Sequence, residues 1–148
     1  MDFGVLLGQA YQQFVQELHA HMAERGHHMV GASYGYVLRT LADNALTASQ
    51  LAERLGITAQ GAAKLVDEMV RQGYVERRQD PVDKRAKLLH LSDRGRDMYT
   101  TVREFHAAFE RRLIARVDKD QVATVRAVLS EIVSAAPDSG ADRGFRPY

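Results

Sequence analysis

Two helix starts stand eleven residues apart near the middle of the chain, one at Thr47-Ala48-Ser49-Gln50 and one at Thr58, with Gly56-Ile57 between them. In the first, the Thr47 hydroxyl and the Gln50 side chain each satisfy a backbone amide that the helix leaves orphaned, which is the reciprocal pattern of a capping box. The spacing predicts a short helix from about Ala48 to Leu55 and another opening at Thr58, running to about Gln72 and stopping at Gly73. Two capped helices joined by three residues make a helix-turn-helix. Leu51, Leu55, Ile57 and Leu65 are expected to supply the shared core, Ala52 lets the helices cross closely, and Gly56 takes the positive φ of the tight turn. A generic helical hairpin would carry similar stripes, so this unit alone does not choose between reading DNA and simple packing.

The next segment tips that balance. Tyr74–Arg78 alternates weakly, Asp80-Pro81 starts a turn, and Lys87-Leu88-Leu89-His90-Leu91 reads as a second strand, giving a hairpin with a charged tip. The whole chain is nearly neutral, with 20 Lys and Arg against 19 Asp and Glu. Between Arg71 and Arg96, however, eight basic residues stand against four acidic ones. The positive field is local, as in a binding face.

Helices are expected on both sides of this unit. Val5, Leu6, Ala10, Phe14, Val15, Leu18 and Met22 recur at helical spacing from Phe3 onward, and Gly26 stands where that helix would end. Ser33 can cap a second helix carrying Tyr36, Val37, Leu41 and Ala42. Ser92 caps a long fifth helix with Met98, Val102, Phe105, Phe109, Leu113 and Val117 spaced by three or four. Asp118-x-x-Gln121 caps a sixth through Val122, Val125, Val128, Leu129, Ile132 and Val133. The tail beyond Pro137, residues 138–148, is polar and is expected to be disordered.

Composition narrows the chemistry. At 148 residues a chain buries roughly 68–70% of its unfolded surface, enough for a core without disulfides or metal. The absence of cysteine removes thiolate nucleophiles, iron–sulfur clusters and Cys-type zinc sites, and fits a reducing cytoplasm. The opening Met1-Asp2-Phe3-Gly4 lacks a basic n-region, and no apolar run approaches the roughly 18 residues a membrane span requires. A cytoplasmic protein, neither exported by such a signal nor membrane-spanning, is expected. There is no His-Glu-x-x-His, no Gly-x-Ser-x-Gly, no phosphate loop and no Gly-x-Gly-x-x-Gly, so an enzyme is not expected and no cofactor is called for.

The string Asp80-Pro81-Val82-Asp83-Lys84-Arg85 with Leu91-Ser92-Asp93-Arg94-Gly95 is more particular. It is preceded by Leu51-Ala52-Glu53-Arg54-Leu55-Gly56, Leu65-Val66-Asp67 and Gly73-Tyr74-Val75-Glu76-Arg77, and together these resemble the MarR family of bacterial winged helix-turn-helix regulators over Leu46–Gly95. The resemblance implies a mainly α winged helix-turn-helix fold and a homodimer whose terminal helices interlock around two lobes that bind double-stranded DNA. It also implies a repressor released by a small-molecule effector. On this reading the DNA-binding lobe spans about 33–92 and the dimerisation helices about 3–26 and 93–135. Arg85 then resembles the family's wing arginine that enters the minor groove, and Asp83 the acid that holds it by a salt bridge.

The residues themselves fit that reading. Thr58, Ala59, Gln60 and Gly61 open the helix whose first turn reaches base edges in a helix-turn-helix. Gln60 can bond bidentately to adenine, Lys64 can reach phosphate or guanine, and Ala59 and Ala63 offer small apolar contact, so specificity leans on DNA shape as well. Lys84 at the tip and Arg77, Arg78 and Lys87 on the strands are natural phosphate partners, and the operator is expected to be near-palindromic. His19, Met22, Tyr34, Tyr36, Arg39 and Met98, with Phe14 and Leu18, come from the region that lines effector sites in relatives, where aromatics and a cation would suit an aromatic acid. For Phe14, Leu18 and Met22 a place in the core or the dimer seam is the stronger reading. Two rival functions remain. One is a winged-helix protein-interaction module without DNA binding. The other is a metal-responsive regulator using His19, His28 or His106, although no histidine pair has the spacing of a helical metal site and no metal ligand is assigned.

Overall fold

A computed structural model describes residues 2–28 and 33–135. In chain order it contains α1 (Phe3–Glu24), α2 (Ser33–Asp43), α3 (Ala48–Leu55), α4 (Ala59–Arg71), β1 (Val75–Gln79), β2 (Lys87–Leu91), α5 (Asp93–Arg116) and α6 (Lys119–Ser134). The expected tail, 138–148, lies outside the described residues.

Local chemistry explains most boundaries. The Thr47 hydroxyl accepts the Gln50 amide at 3.2 Å while the Gln50 side chain accepts the Thr47 amide at 2.9 Å, closing the capping box at the start of α3. Gly56 takes φ 63 at the other end, and the Ile57 amide folds back to the Ala52 carbonyl. Thr58 caps α4 by accepting the Gly61 amide at 3.0 Å. Two expectations are corrected. Ser33 is the first residue of α2 rather than a residue ahead of it. Tyr74 lies in the turn between α4 and β1 and not in the strand, because its amide is spent on the Met69 carbonyl at 2.9 Å.

β1 and β2 pair antiparallel, Val75 opposite Leu91 and Gln79 opposite Lys87, and Leu46 adds a bridge to Leu89 that fastens the α2–α3 connection to the sheet. The core gathers around this point. Met22, Tyr34, Val37, Leu38, Leu51, Val66, Met69, Tyr74 and Met98 are fully buried, bringing α1, α2, α3, α4 and α5 onto one cluster with Leu89 of the sheet. Leu51, Ala52 and Leu55 are buried as expected, but Ile57 and Leu65 are only partly so. The inward face of α4 is Ala62, Val66 and Met69, spaced by four and three, and Leu65 falls beside that stripe.

The passage from β2 into α5 is tight. Ser92 caps α5 by accepting the Gly95 amide at 3.0 Å, its hydroxyl donates to the Gly73 carbonyl at 2.5 Å, and its own amide reaches the Tyr74 carbonyl at 3.1 Å. A Cβ on Gly95 would stand 2.1 Å from the Tyr74 oxygen, a backbone atom that cannot swing aside. Gly95→Ala is therefore expected to destabilise the fold by about 1–3 kcal/mol, as overpacked sites do. Gly35→Ala, whose Cβ meets nothing within 4 Å in α2, should instead be neutral or stabilise by about 0.5–1 kcal/mol. Urea denaturation of the two variants checks the contrast.

Candidate nucleic-acid interface and effector cavity

The first turn of α4 faces solvent. Ala59, Gln60, Gly61, Ala63 and Lys64 are exposed, as is the capping Thr58, whereas Ala62 alone of residues 58–64 turns into the core. The helical period accounts for most of that division, since the core positions at 62, 66 and 69 leave 60 and 64 on the opposite side and 63 on the flank, while Ala59 is exposed as the first residue of the helix. The orphan amides at this end and the positive pole of the helix both favour an approaching phosphate. Lys64 and Gln60 enter no ion pair or side-chain hydrogen bond among the described residues, so both are available to a partner.

The hairpin tip is ordered by its own acids. Asp80 accepts the Val82 amide at 2.8 Å, Asp83 accepts the Arg85 amide at 2.9 Å, the Gln79 side chain donates to the Lys84 carbonyl at 2.8 Å, and the Asp80 amide reaches the Ala86 carbonyl at 3.1 Å. The expected Asp83–Arg85 salt bridge is replaced by this backbone bond. The guanidinium and the carboxylate form no ion pair, and Lys84 and Arg85 project into solvent with none among the described residues. A side chain two residues upstream readily folds onto a backbone amide, whereas an exposed pair gains little from closing. Val82, which the sequence reading passed over, is 93% exposed at the summit of the tip.

The strand cations are already tethered. Arg77 pairs with Asp67 of α4 at 2.5 Å and Arg78 with Glu76 at 2.9 Å. The register places Arg77 and Lys87 on the sheet face that carries Val75, Leu89 and Leu91, and Arg78 on the other, so the three do not act from one face. Exposed pairs of this kind are worth only about 0–1 kcal/mol, and a phosphate can displace them.

A separate cavity of about 680 Å³ opens between α1, α2 and α5. Of the expected effector residues, His19, Tyr36 and Arg39 line it, with Phe14 and Leu18. Met22, Tyr34 and Met98 do not: all three are fully buried in the core, because their helical positions face α2 and α5 packing rather than the opening. Tyr11, Asp43, Tyr99 and Arg103 also line it and are not among the residues the sequence singles out, and His106, a candidate only for metal there, joins them, since only the crossing of α1, α2 and α5 brings them together. Burial pushes the Tyr36 phenol above its ordinary range, keeping it a neutral donor. Partial burial, then the nearby Arg39 charge, hold the His106 imidazole below the usual histidine range. Among the described residues no three His, Asp or Glu side chains converge as a metal site would require. His27 is spent elsewhere, buried with Nε2 2.7 Å from Asp97.

A helix-turn-helix followed by a two-stranded hairpin between long terminal helices defines the winged-helix class. A sequence profile of the MarR family matches residues 30–86. The chain is 31% identical over 99 residues to the uncharacterized protein Rv2011c of Mycobacterium tuberculosis, covering 67% of this chain and 69% of that one. Its fold is similar to that of YusO from Bacillus subtilis, with a TM-score of 0.68 at 20% identity over 91% of this chain and 94% of that chain. It is similar also to the transcriptional repressor CouR bound to a 23-mer DNA duplex, with a TM-score of 0.69 at 22% identity over 88% of this chain and 92% of that chain. The chain belongs to the MarR family of transcriptional regulators.

The tip geometry separates two roles for Asp83. Asp83→Asn keeps an oxygen for the Arg85 amide and should leave hydrogen exchange at Arg85 slow, whereas Asp83→Ala should speed it by the loss of a bond worth about 0.5–1.5 kcal/mol. Amide exchange in the free protein checks this. Equal exchange in both variants would show that the carboxylate does not order the tip.

Proposed function

We propose that this chain is a homodimeric, sequence-specific DNA-binding regulator, a repressor whose grip on its operator is released by a small-molecule ligand. The observation that carries the reading is the solvent-facing first turn of α4, relieved of any part in the core and followed by a self-ordered hairpin that presents Lys84 and Arg85. Residues 33–92 form the DNA-binding lobe, with Thr58, Ala59, Gln60, Gly61, Ala63 and Lys64 addressing the major groove. The wing addresses the neighbouring minor groove through Arg85, with Lys84, Arg77, Arg78 and Lys87 toward phosphates. Asp83 contributes by holding the tip backbone. A DNA partner sets the site of action in the cytoplasm.

Residues 3–26 and 93–135 form the dimerisation region. Phe3, Leu6, Val117, Val125, Ile132 and Val133 are all exposed, on α1, α6 and the end of α5. That is more apolar surface than a monomer of this size commonly leaves in water. A two-fold pair would cover it and set the two lobes on half-sites about 34–36 Å apart along a near-palindrome. The cavity between α1, α2 and α5 is the effector site on this reading, its aromatic walls and cations suiting an aromatic acid.

Fluorescence anisotropy on DNA taken from upstream of the chain's own gene tests the assignment. Arg85→Ala should cost about 1–3 kcal/mol per half-site with helix content unchanged. Gln60→Ala should relax preference at one position of each half-site, while Lys64→Ala should weaken all sequences and flatten the salt slope by about one unit per half-site contact. Equal effects on cognate and random DNA would refute the division of roles, and undiminished binding by Arg85→Ala would refute the wing.

Sedimentation at micromolar concentration should find a dimer with or without DNA. Val125→Glu with Ile132→Glu, both on the exposed apolar side of α6, should shift it toward monomer. A monomeric parent protein would sink the two-fold arrangement.

A further inference from the structure

Most large apolar side chains left in solvent have a use already described. Those of α1, α6 and the end of α5 lie on the surface assigned to the dimer, and Tyr11 and Tyr36 line the cavity. Val82 belongs to neither group. At 93% it is the most exposed large apolar side chain among the described residues, and it stands in the connection between β1 and β2. A single apolar residue on the outside of a helix or strand requires no explanation. This one occupies a turn, where Gly, Asn, Asp and Ser are the usual residues and a β-branched side chain has no pleated neighbour to pack on. A local preference broken with no gain to the fold points to function.

The tip holds this side chain in place. Pro81 restricts the backbone before it, and the Asp80 carboxylate accepts the Val82 amide at 2.8 Å. On its other side the Asp83 carboxylate accepts the Arg85 amide at 2.9 Å and the Asp83 carbonyl accepts the Ala86 amide at 3.0 Å, closing a second turn. Val82 therefore stands between two turns, each pinned by its own aspartate, with exposed Pro81 before it and exposed Lys84 and Arg85 two and three residues after it. Such a tip has little backbone freedom left to lose when it docks. Phosphate binding alone would need only the two cations. An apolar summit beside them matches a surface with apolar walls and anionic rims, which is what deoxyribose edges and phosphates make of the minor groove.

We propose that Val82 packs against the deoxyribose edges of the minor groove beside Arg85 and supplies the part of the wing's affinity that salt does not screen. The inference rests on the minor-groove reading of the wing above and adds to it a second contact of different chemistry. Phosphate contacts release counterions, so their contribution falls as salt rises. Covering an isopropyl group releases none, so its contribution leaves the salt slope alone. Valine is also short. With the turn backbone outside the groove its methyl groups meet the sugars without entering the base stack, so the bases beneath stay stacked, unlike those at the sites of inserted apolar wedges.

The test is fluorescence anisotropy of the full-length protein on duplex DNA from upstream of its own gene, repeated at potassium chloride concentrations from about 50 to 200 mM. Val82→Thr keeps the branched shape and exchanges a methyl for a hydroxyl. It should weaken binding about three- to tenfold per half-site at every salt concentration and leave the salt slope unchanged. Val82→Ile stays apolar and should bind within about twofold of the parent. Amide exchange at Arg85 should remain slow in both variants, showing the tip intact. Arg85→Ala, measured alongside, should flatten the slope. Parent-like binding by Val82→Thr beside weak binding by Arg85→Ala would overturn the apolar contact and leave the wing in the minor groove, and so would a loss in Val82→Thr that comes with a changed slope. Brightening of 2-aminopurine, placed at adenines whose protection from hydroxyl radical is lost in Arg85→Ala, would overturn sugar packing in favour of a wedge. Parent-like binding by both Val82→Thr and Arg85→Ala would overturn the proposal together with the minor-groove reading, while the reading of α4, reported by Lys64→Ala, would stand.

Discussion

The close approach of α5 to the Tyr74 carbonyl at Gly95 is the contact on which the rest of the arrangement depends. There the end of α4, the base of the hairpin and the start of a 24-residue helix share a few backbone groups, bridged by the Ser92 hydroxyl and amide. Three elements with different tasks are thereby held at one fixed angle. Helix α4 leads into the junction, the hairpin folds back to it, and α5 carries its direction outward to the cavity wall and the exposed apolar side. A side chain at position 95 would push α5 away from the hairpin, and nothing nearby could yield.

Arg94 extends the same junction. Its guanidinium lies 4.8 Å over the Tyr74 ring, donates to the Tyr74 hydroxyl at 3.1 Å and to the Gly26 carbonyl at 3.1 Å, tying the end of α1 to the hairpin base. His27 and Asp97 add a second tie between the same helices. The effector cavity proposed here lies between α1, α2 and α5, so a ligand that shifts α1 against α5 bears on contacts that orient the wing. Phe14 and His106 also line the apolar groove against α6, making them the partition between the cavity and the surface assigned to the dimer.

Much of this was legible in the sequence because it is written in local chemistry. Caps at Thr47, Thr58, Ser92 and Asp118 place four helix starts, since each depends on a side chain meeting an amide two or three residues away. The two strands and the outward first turn of α4 follow from periodicity. What was not legible depends on contacts between elements distant in the chain. Met22, Tyr34 and Met98 look like wall residues in a list and prove to be core, because the helix crossing decides which side of each faces the opening. For the same reason the sequence does not place Arg103 or His106 on the cavity wall. Leu65 packs against the edge of the core while Val66 and Met69 fill its centre, through a one-residue difference in helical phase. Asp83 was assigned the right neighbour and the wrong atom, because sequence spacing does not distinguish the Arg85 amide from its guanidinium.

In the proposed function two copies of one lobe read DNA with α4 in the major groove and the hairpin in the adjoining minor groove. Hydroxyl-radical footprinting of the intact protein on its own upstream DNA tests this most directly, because it reports groove occupancy nucleotide by nucleotide. Two protected stretches related by a two-fold axis and about one helical turn apart are expected, each flanked by a protected minor-groove patch that disappears with Arg85→Ala. Protection of a single stretch, or a footprint that Arg85→Ala leaves unchanged, would contradict it.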